Sequence, residues 1–167
     1  DGVPTPIRFP KPAASSINYN LDDVLPDFFD ELENALAPAH GSPQLTMARY
    51  QPENYLLTAT DVGDDTALVG LVRTGLLKRF ESTAYAFART TDKMVREHAL
   101  FLQGLDRGVI IKKELLHELS AADDQEVIDE LLETSPHMEP ADNYDVETLR
   151  ADVLADKQLL QDLCTKA

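Results

Sequence analysis

The stretch between Asp64 and Arg107 limits most strongly what this chain can fold into. Its apolar and small residues recur every three or four positions, which is the repeat of one face of an α-helix. Asp64 or Asp65 is a suitable N-terminal cap, and Gly108 is a suitable C-terminal one. An unbroken helix here would exceed about 60 Å, so we predict a break or bend at Gly75, with a short helix before it and a long one after it. The apolar face consists of Leu68, Val72, Leu76, Phe80, Ala84, Phe87, Met94, Phe101 and Leu105.

A second helical pattern lies between residues 24 and 36, where apolar side chains again recur at spacings of three and four. Either of the two aspartates before it can cap its start. Pro26 is tolerated in the first turn, and Pro38 ends the helix. Residues 38–63 are predicted to be a loop, within which the pattern weakly favours an extended Gln44–Tyr50.

The C-terminal third also has helical patterns. Residues 114–119 are predicted to form a short helix, and Ser120 opens a second one that ends where a loop over residues 135–143 begins. Asp145 then caps a final helix that continues to Leu163, with its apolar residues on or near one face.

The N-terminal segment lacks such periodicity. Residues 1–16 hold four prolines and are typical of an extended connector, and Ile17–Leu21 alternates as a short strand does. We therefore predict an extended connector over residues 1–21 and a single helical domain over 22–167. The predicted fold class is mainly α, an irregular helical bundle with one long helix and short extended segments near the N-terminus.

Charge is distributed unevenly along the chain. The net charge of −15 divides into −8 for residues 1–65, +5 for residues 66–113 and −12 for residues 114–167. A basic block between two acidic flanks is not needed for solubility alone. The same segregation also fits acidic flanks that pair with the basic block, and composition leaves both interpretations open.

On a helical wheel the basic residues of 68–107 gather opposite the apolar face. Such a stripe matches the spacing of a phosphate backbone and can bind it by charge neutralisation. It also fits a solvated face held by the pairs Asp92–Arg96 and Lys93–Glu97. Arg73 falls on the apolar side, where it snorkels, pairs with a buried carboxylate or reaches another domain. The stripe comprises Lys78, Arg89, Lys93, Arg96 and Arg107, with Arg79 at its margin.

Several classes of site and protein are not indicated. The sequence has no phosphate loop, no magnesium-holding Asp-Glu-x-His box, and none of the serine-hydrolase, zinc-protease or paired-cysteine motifs. No run of about 18 apolar residues predicts a membrane span. The lone cysteine, Cys164, excludes an internal disulfide framework and is typical of the reducing cytoplasm. The scattered histidines lack metal-ligand spacing and are interpreted as surface or core residues: His40, His98, His117 and His137.

The segment Gly70–Phe87 resembles a helix motif, Leu-Leu-Lys-Arg-Leu-Glu-Ser-Ser followed by Ala-Phe, of bacterial Swi/Snf-related helicases of superfamily 2. These include the phospholipase-D-containing and phage-defence-associated kinds. Thr83 stands where the motif has its second serine. The resemblance spans nearly the whole chain, although only Gly70–Phe87 is specific. Arg8–Pro10 with Ile17–Leu21 is similar to the stretch that follows the first motor lobe. His98–Gly108 is similar to the end of the motif helix, and Asp145–Leu163 resembles the run that leads into the second lobe.

In such proteins two RecA-like lobes bind and hydrolyse ATP between them and step along DNA. The resemblance implies that this chain is the helical region between the lobes, non-catalytic by itself, within a cytoplasmic ATP-dependent helicase. ATP and magnesium would bind in the lobes, and the partners would be DNA and the lobes. The candidate contacts to nucleic acid are Arg73, Lys78, Arg79, Arg89, Lys93 and Arg96.

Two alternatives come from the residues themselves. One is a stand-alone helical module that binds a protein partner through its acidic surfaces. The other is a hydrolase that uses the carboxylates of residues 114–167, although the acidic residues between 123 and 133 are interpreted mainly as a solvated helix face.

Overall fold

The computed structural model describes residues 14–16, 23–37, 41–58, 66–112, 115, 116, 119 and 135–167. Over these residues the fold is mainly helical, which confirms the predicted fold class. The helices are α1 (Phe28–Leu36), α2 (Thr66–Ser82), α3 (Ala84–Asp106) and α4 (Val146–Lys166). Strands β1 (Val109–Ile111) and β2 (Met138–Pro140) pair antiparallel. Short 3₁₀ turns cover Ala48–Tyr50, Pro52–Tyr55 and Ala141–Asn143.

Some predicted segments lie outside the described residues. They are most of the N-terminal connector, the Ile17–Leu21 strand and the helix opened by Ser120 with its acidic residues. Of the short 114–119 helix, residues 115, 116 and 119 are described, and all three are helical.

The predicted division into a shorter helix of 17 residues and a longer one of 23 is confirmed, but its predicted position at Gly75 is wrong, because the chain breaks at Thr83. Thr83 is extended, with φ −163° and ψ 147°, and its side-chain oxygen accepts a hydrogen bond from the amide of Ala86 at 3.0 Å. This is the bond of an N-terminal cap, so the threonine starts α3 one residue after α2 ends. Gly75 lies within α2, where one glycine lowers helix stability without interrupting the hydrogen bonds.

Two predictions before residue 50 are also wrong. The first helix begins at Phe28 rather than near residue 24, because Asp27 has a left-handed backbone, φ 60°, that a helix cannot continue through. Gln44–Tyr50 is not a strand, since Met47 is left-handed, φ 61°, and the chain turns there into a 3₁₀ turn.

The ends of α3 and the start of α4 follow the prediction. Gly108 has φ 75°, the left-handed conformation of a residue just after a helix. Asp145 caps α4 by accepting from the amide of Thr148 at 3.1 Å. The predicted loop over residues 135–143 is partly wrong, because its residues 138–140 form β2 in register with β1. That pairing depends on a partner about thirty residues earlier, which local sequence does not reveal.

The core has two parts along α3 and α4. One contains residues of α1 and α2, the first half of α3 and the end of α4, and the rings of Phe28, Phe80 and Phe87 lie there with their centroids 5.1–5.8 Å apart. The other contains the second half of α3, β1 and the start of α4. Buried predicted positions of α3 are Phe87, Met94, Phe101 and Leu105. The 3.6-residue period therefore located the buried face of α3 correctly.

No helix within the described ranges is both long and apolar enough to cross a lipid bilayer.

Candidate nucleic-acid interface

An open surface depression of about 560 Å³ is lined by basic side chains of α2 and α3. Arg79 comes from the last turn of α2, and the other cations come from α3. Spacings of four and three residues place the α3 cations on one helix face. Because Thr83 caps α3 directly after α2, the end of one helix lies beside the start of the other. We call this depression the basic groove; its lining residues are Arg79, Tyr85, Ala86, Arg89, Thr90, Lys93 and Arg96.

Two of the groove cations have acidic neighbours on α3. Arg96 donates to Asp92 at 2.9 Å, and the two side chains are 60% and 53% exposed. The Nζ of Lys93 lies 3.7 Å from Oε1 of Glu97. The predicted i,i+4 pairs are thus both present. The Arg96–Asp92 pair is exposed and contributes only about 0.2–0.5 kcal/mol to helix stability, so it does not prevent Arg96 from binding another anion. Glu97 is only 14% exposed, but its separation from the Lys93 Nζ is longer than a hydrogen bond.

The groove therefore combines four of the six candidate residues. Lys78 is exposed on α2 but does not line the groove. Arg107, the last residue of the predicted stripe, is exposed beyond the end of α3 and also does not line it.

Arg73 has a structural contact. It is half-buried, and its guanidinium donates to the carbonyl oxygen of Leu45 at 2.8 Å. The observed contact is none of the three roles that the sequence left open for Arg73, because the guanidinium binds a backbone carbonyl and its Nε is buried. The contact ties α2 to the loop before the first 3₁₀ turn.

A second depression, of about 270 Å³, adjoins the basic groove between α2 and α3. It shares Arg79, Thr90 and Lys93 with the groove, so the two depressions lie side by side. Its walls are largely apolar, and a Cβ atom built on Gly75 would meet nothing within 4 Å. We call it the inter-helix cleft; its remaining lining residues are Tyr50, Val72, Gly75, Leu76, Met94 and Glu97.

Glu97, which lines the cleft, forms a buried ion pair. Arg49 donates to Glu97 at 2.7 Å, and their side chains are 3% and 14% exposed. The Arg49 guanidinium carbon also lies 4.0 Å from the centre of the Tyr50 ring, in a cation–π arrangement. Removing one partner of such a pair costs about 3–5 kcal/mol, because the other charge is then buried alone.

His98 is a core residue, as predicted for the scattered histidines. Its ring is fully buried, and Nδ1 lies 2.7 Å from the carbonyl oxygen of Met94. A carbonyl only accepts, so Nδ1 carries the proton. Nε2 is buried without a partner in the described part of the chain. Burial lowers the pKa of His98 to about 3, with Arg49 adding to the effect.

Asp156 of α4 is a buried carboxylate that holds the loop after α1. It accepts from the amide and hydroxyl of Thr46 at 2.7 and 3.0 Å and from the amide of Ala48 at 3.2 Å. Burial raises the pKa of Asp156, and the hydrogen bonds from Thr46, Ala48 and Met47 oppose that shift. These bonds fix a loop with a left-handed residue at its centre.

Arg49, Glu97 and Asp156 are partners of buried groups that were not predicted from the sequence. Asp156 sits among apolar residues of α4, and a charge on the buried face of a helix was the one signal that pointed to it. Arg49 and Glu97 are 48 residues apart and carry no comparable signal.

Among the residues that the structure describes, no group of three or more His, Cys, Asp or Glu side chains is arranged to hold a metal ion. Comparison of the chain with protein-family models, curated proteins and solved structures found no match.

Proposed function

We propose that the basic groove binds the phosphate backbone of nucleic acid, and that the chain is a DNA-contacting helical part of an ATP-dependent motor. One observation carries the proposal: four cations from two helices line one depression, on a chain whose net charge is −15. Cations grouped on one surface are the electrostatic footprint of a phosphate-binding site.

The cations differ in availability. Arg79 and Arg89 are exposed and have no ion pair in the described part of the structure. The Arg96–Asp92 pair is solvent-exposed and therefore weak, so a phosphate competes with Asp92 at little cost. Lys93 is counted with them because its side chain is 44% exposed and its Nζ lies 3.7 Å from the Glu97 carboxylate, so the groove offers four contacts.

The expected salt dependence follows from that count. Each neutralised phosphate of a duplex contributes about −0.9 to the slope of log K against log salt concentration, so four contacts give a slope of about −3.6. Raising salt fourfold, from about 50 to about 200 mM, then weakens binding about 150-fold. Removing two contacts halves the slope.

The test is a fluorescence-anisotropy titration of a labelled DNA strand of about twelve nucleotides, and of its duplex, into this protein at several salt concentrations. The variant is Arg89→Gln/Arg96→Gln. The matched control is Arg150→Gln/Lys166→Gln, which changes the net charge equally on α4 side chains that are 38% and 51% exposed and do not line the groove. The proposal expects a slope reduced by about 1.8 in the groove variant alone. Equal slopes in both variants, or no salt-dependent binding, refute it.

The motor context rests on the resemblance of Gly70–Phe87 and its neighbours to the inter-lobe region of superfamily 2 helicases. In that context ATP and magnesium bind in the two RecA-like lobes of a cytoplasmic helicase. The chain between the lobes contacts DNA or couples the movement of one lobe to that of the other. Sequencing the reading frame on both sides tests this. A phosphate loop encoded upstream and a second lobe downstream support the proposal, and the absence of both refutes it.

A further inference from the structure

We infer that the basic groove and the inter-helix cleft together select an unpaired nucleic-acid strand over a duplex. The inference rests on the proposed phosphate-binding function and names its substrate class. Phosphates lie on the groove cations, one base stacks on Tyr85, and a neighbouring base enters the cleft.

The exposed ring of Tyr85 favours the binding of an unpaired strand. It lies in the first turn of α3, lines the groove together with the cations, and is 74% exposed. A tyrosine so exposed gains little from the core, whereas an aromatic ring beside a cationic track is the arrangement that stacks the bases of single strands. In a duplex the bases are already stacked on each other and do not present their faces to such a ring.

The inter-helix cleft also favours an unpaired strand. It borders the groove at Arg79, Thr90 and Lys93, and its apolar lining includes Val72, Leu76 and Met94. Its volume of about 270 Å³ lies next to the proposed phosphate sites, where a base attached to a bound phosphate can reach it. A paired base enters such a cleft only after unstacking, which costs a few kcal/mol per step. An unpaired base does not bear that cost.

Electrostatics alone predicts the opposite preference. A duplex has the higher charge density, with a slope per contact of about −0.9 against about −0.7 for a single strand. A groove that binds only by charge therefore favours duplex, and a preference for the single strand requires contacts to the bases. The comparison of the two probes isolates that contribution.

The experiment measures the affinity of this protein for labelled thymidine and uridine strands and for a DNA duplex, each about twelve nucleotides long, at about 50 mM salt. The two strands separate DNA from RNA as the source of the unpaired ligand. Tyr85→Ala removes the stacking ring, and Tyr85→Phe retains it. Gly75→Leu fills the cleft from a position where a Cβ atom meets no neighbour, and Gly70→Leu is its control, because Gly70 is equally open but does not line the cleft.

The inference expects tighter binding of at least one unpaired strand than of the duplex. Tyr85→Ala is expected to weaken that binding about 5- to 150-fold, with Tyr85→Phe near the parent value. Gly75→Leu weakens it and Gly70→Leu does not. Duplex binding at least as tight as that of both strands, or strand binding unchanged by both Tyr85→Ala and Gly75→Leu, overturns the inference. If only the inference fails, binding still depends on salt concentration, and this dependence still weakens in the Arg89→Gln/Arg96→Gln variant. If the proposed function fails, neither the strands nor the duplex show that dependence.

Discussion

Lowering the pH from about 7 to about 5 is expected to reduce the free energy of unfolding by about 2 kcal/mol through His98 alone. The ring donates from Nδ1 to the carbonyl of Met94, and Nε2 is buried without an acceptor in the described structure. Protonation would place both a charge and an unsatisfied N–H in the core. The folded protein therefore keeps His98 neutral, whereas the unfolded chain protonates it at an ordinary pH.

The magnitude follows from the two pKa values. The pKa of His98 is lowered to about 3 in the folded protein, and the unfolded value is about 6.5. Because the folded pKa lies below the unfolded one, the unfolded state binds more protons between these values. The free energy of unfolding consequently falls as the pH falls through this window, by about 1.4 kcal/mol per unit once the unfolded histidine is mostly protonated. Between pH 7 and 5 the difference is about 2 kcal/mol, and at pH 4 it exceeds about 3 kcal/mol.

The assay is urea unfolding followed by helical circular dichroism at both pH values, for the parent and for His98→Gln. Many carboxylates also titrate, but their effects cancel in the difference between the two proteins. The destabilisation caused by His98→Gln should shrink by about 2 kcal/mol between pH 7 and pH 5. A difference that does not change with pH refutes the reasoning. Nuclear magnetic resonance titration of His98, assigned by the variant, is a direct check, and a pKa near the ordinary histidine value contradicts it.

Three further changes probe the scaffold, each by urea unfolding at neutral pH. Asp156→Asn is expected to lower the free energy of unfolding by about 2–4 kcal/mol, because one acceptor oxygen is replaced by a donor that faces backbone N–H groups. Gly104→Ala should cost about 1–3 kcal/mol, since its Cβ would lie 2.6 Å from the Ile111 side chain. Thr83→Ala should cost about 0.5–2 kcal/mol through loss of the α3 cap.

Each change has a matched control. Asp162→Asn alters an exposed carboxylate of the same helix as Asp156 and should have almost no effect. Gly70→Ala adds a Cβ atom in open space within α2 and should stabilise the protein by about 0.5–1 kcal/mol. Thr83→Ser keeps the capping oxygen and should retain most of the stability. A variant that matches its control would contradict the packing or capping role assigned to that residue.

Hydrophobic periodicity predicted the long helices well, because a helix with one buried face has apolar residues every three or four positions. The register of α3 is correct, with Phe87 and Phe101 buried as expected. The start of α3 lies at Thr83 and not at Gly75, because a glycine inside a helix need not interrupt it, whereas the threonine caps a new one. Gly75 costs helix stability but leaves the backbone hydrogen bonds in place, whereas the Thr83 side chain replaces one of them with its own.

All four cations that line the basic groove belong to the predicted stripe, with Arg79 at its margin. The wheel of a single helix placed Arg89, Lys93 and Arg96 on one face, and spacing alone is enough for that. The contribution of Arg79 from α2, and the exclusion of Lys78, depend on how α2 lies beside α3. Tyr85 was not singled out, since an aromatic residue within a helical pattern is usually buried. The stacking role that we propose for Tyr85 depends on its exposure, which sequence spacing does not give.

The loop from Leu45 to Arg49 is the shared anchor of the three long helices. Arg73 of α2 binds its first carbonyl, Asp156 of α4 binds amides in its middle, and Arg49 at its end binds Glu97 of α3. Most loops accept inserted residues because nothing depends on their exact length. Here an insertion of one residue would detach at least one helix from its charged contact, and with it alter the width of the cleft between α2 and α3. Among related chains, this short loop should therefore vary less in length than its lack of regular structure would suggest.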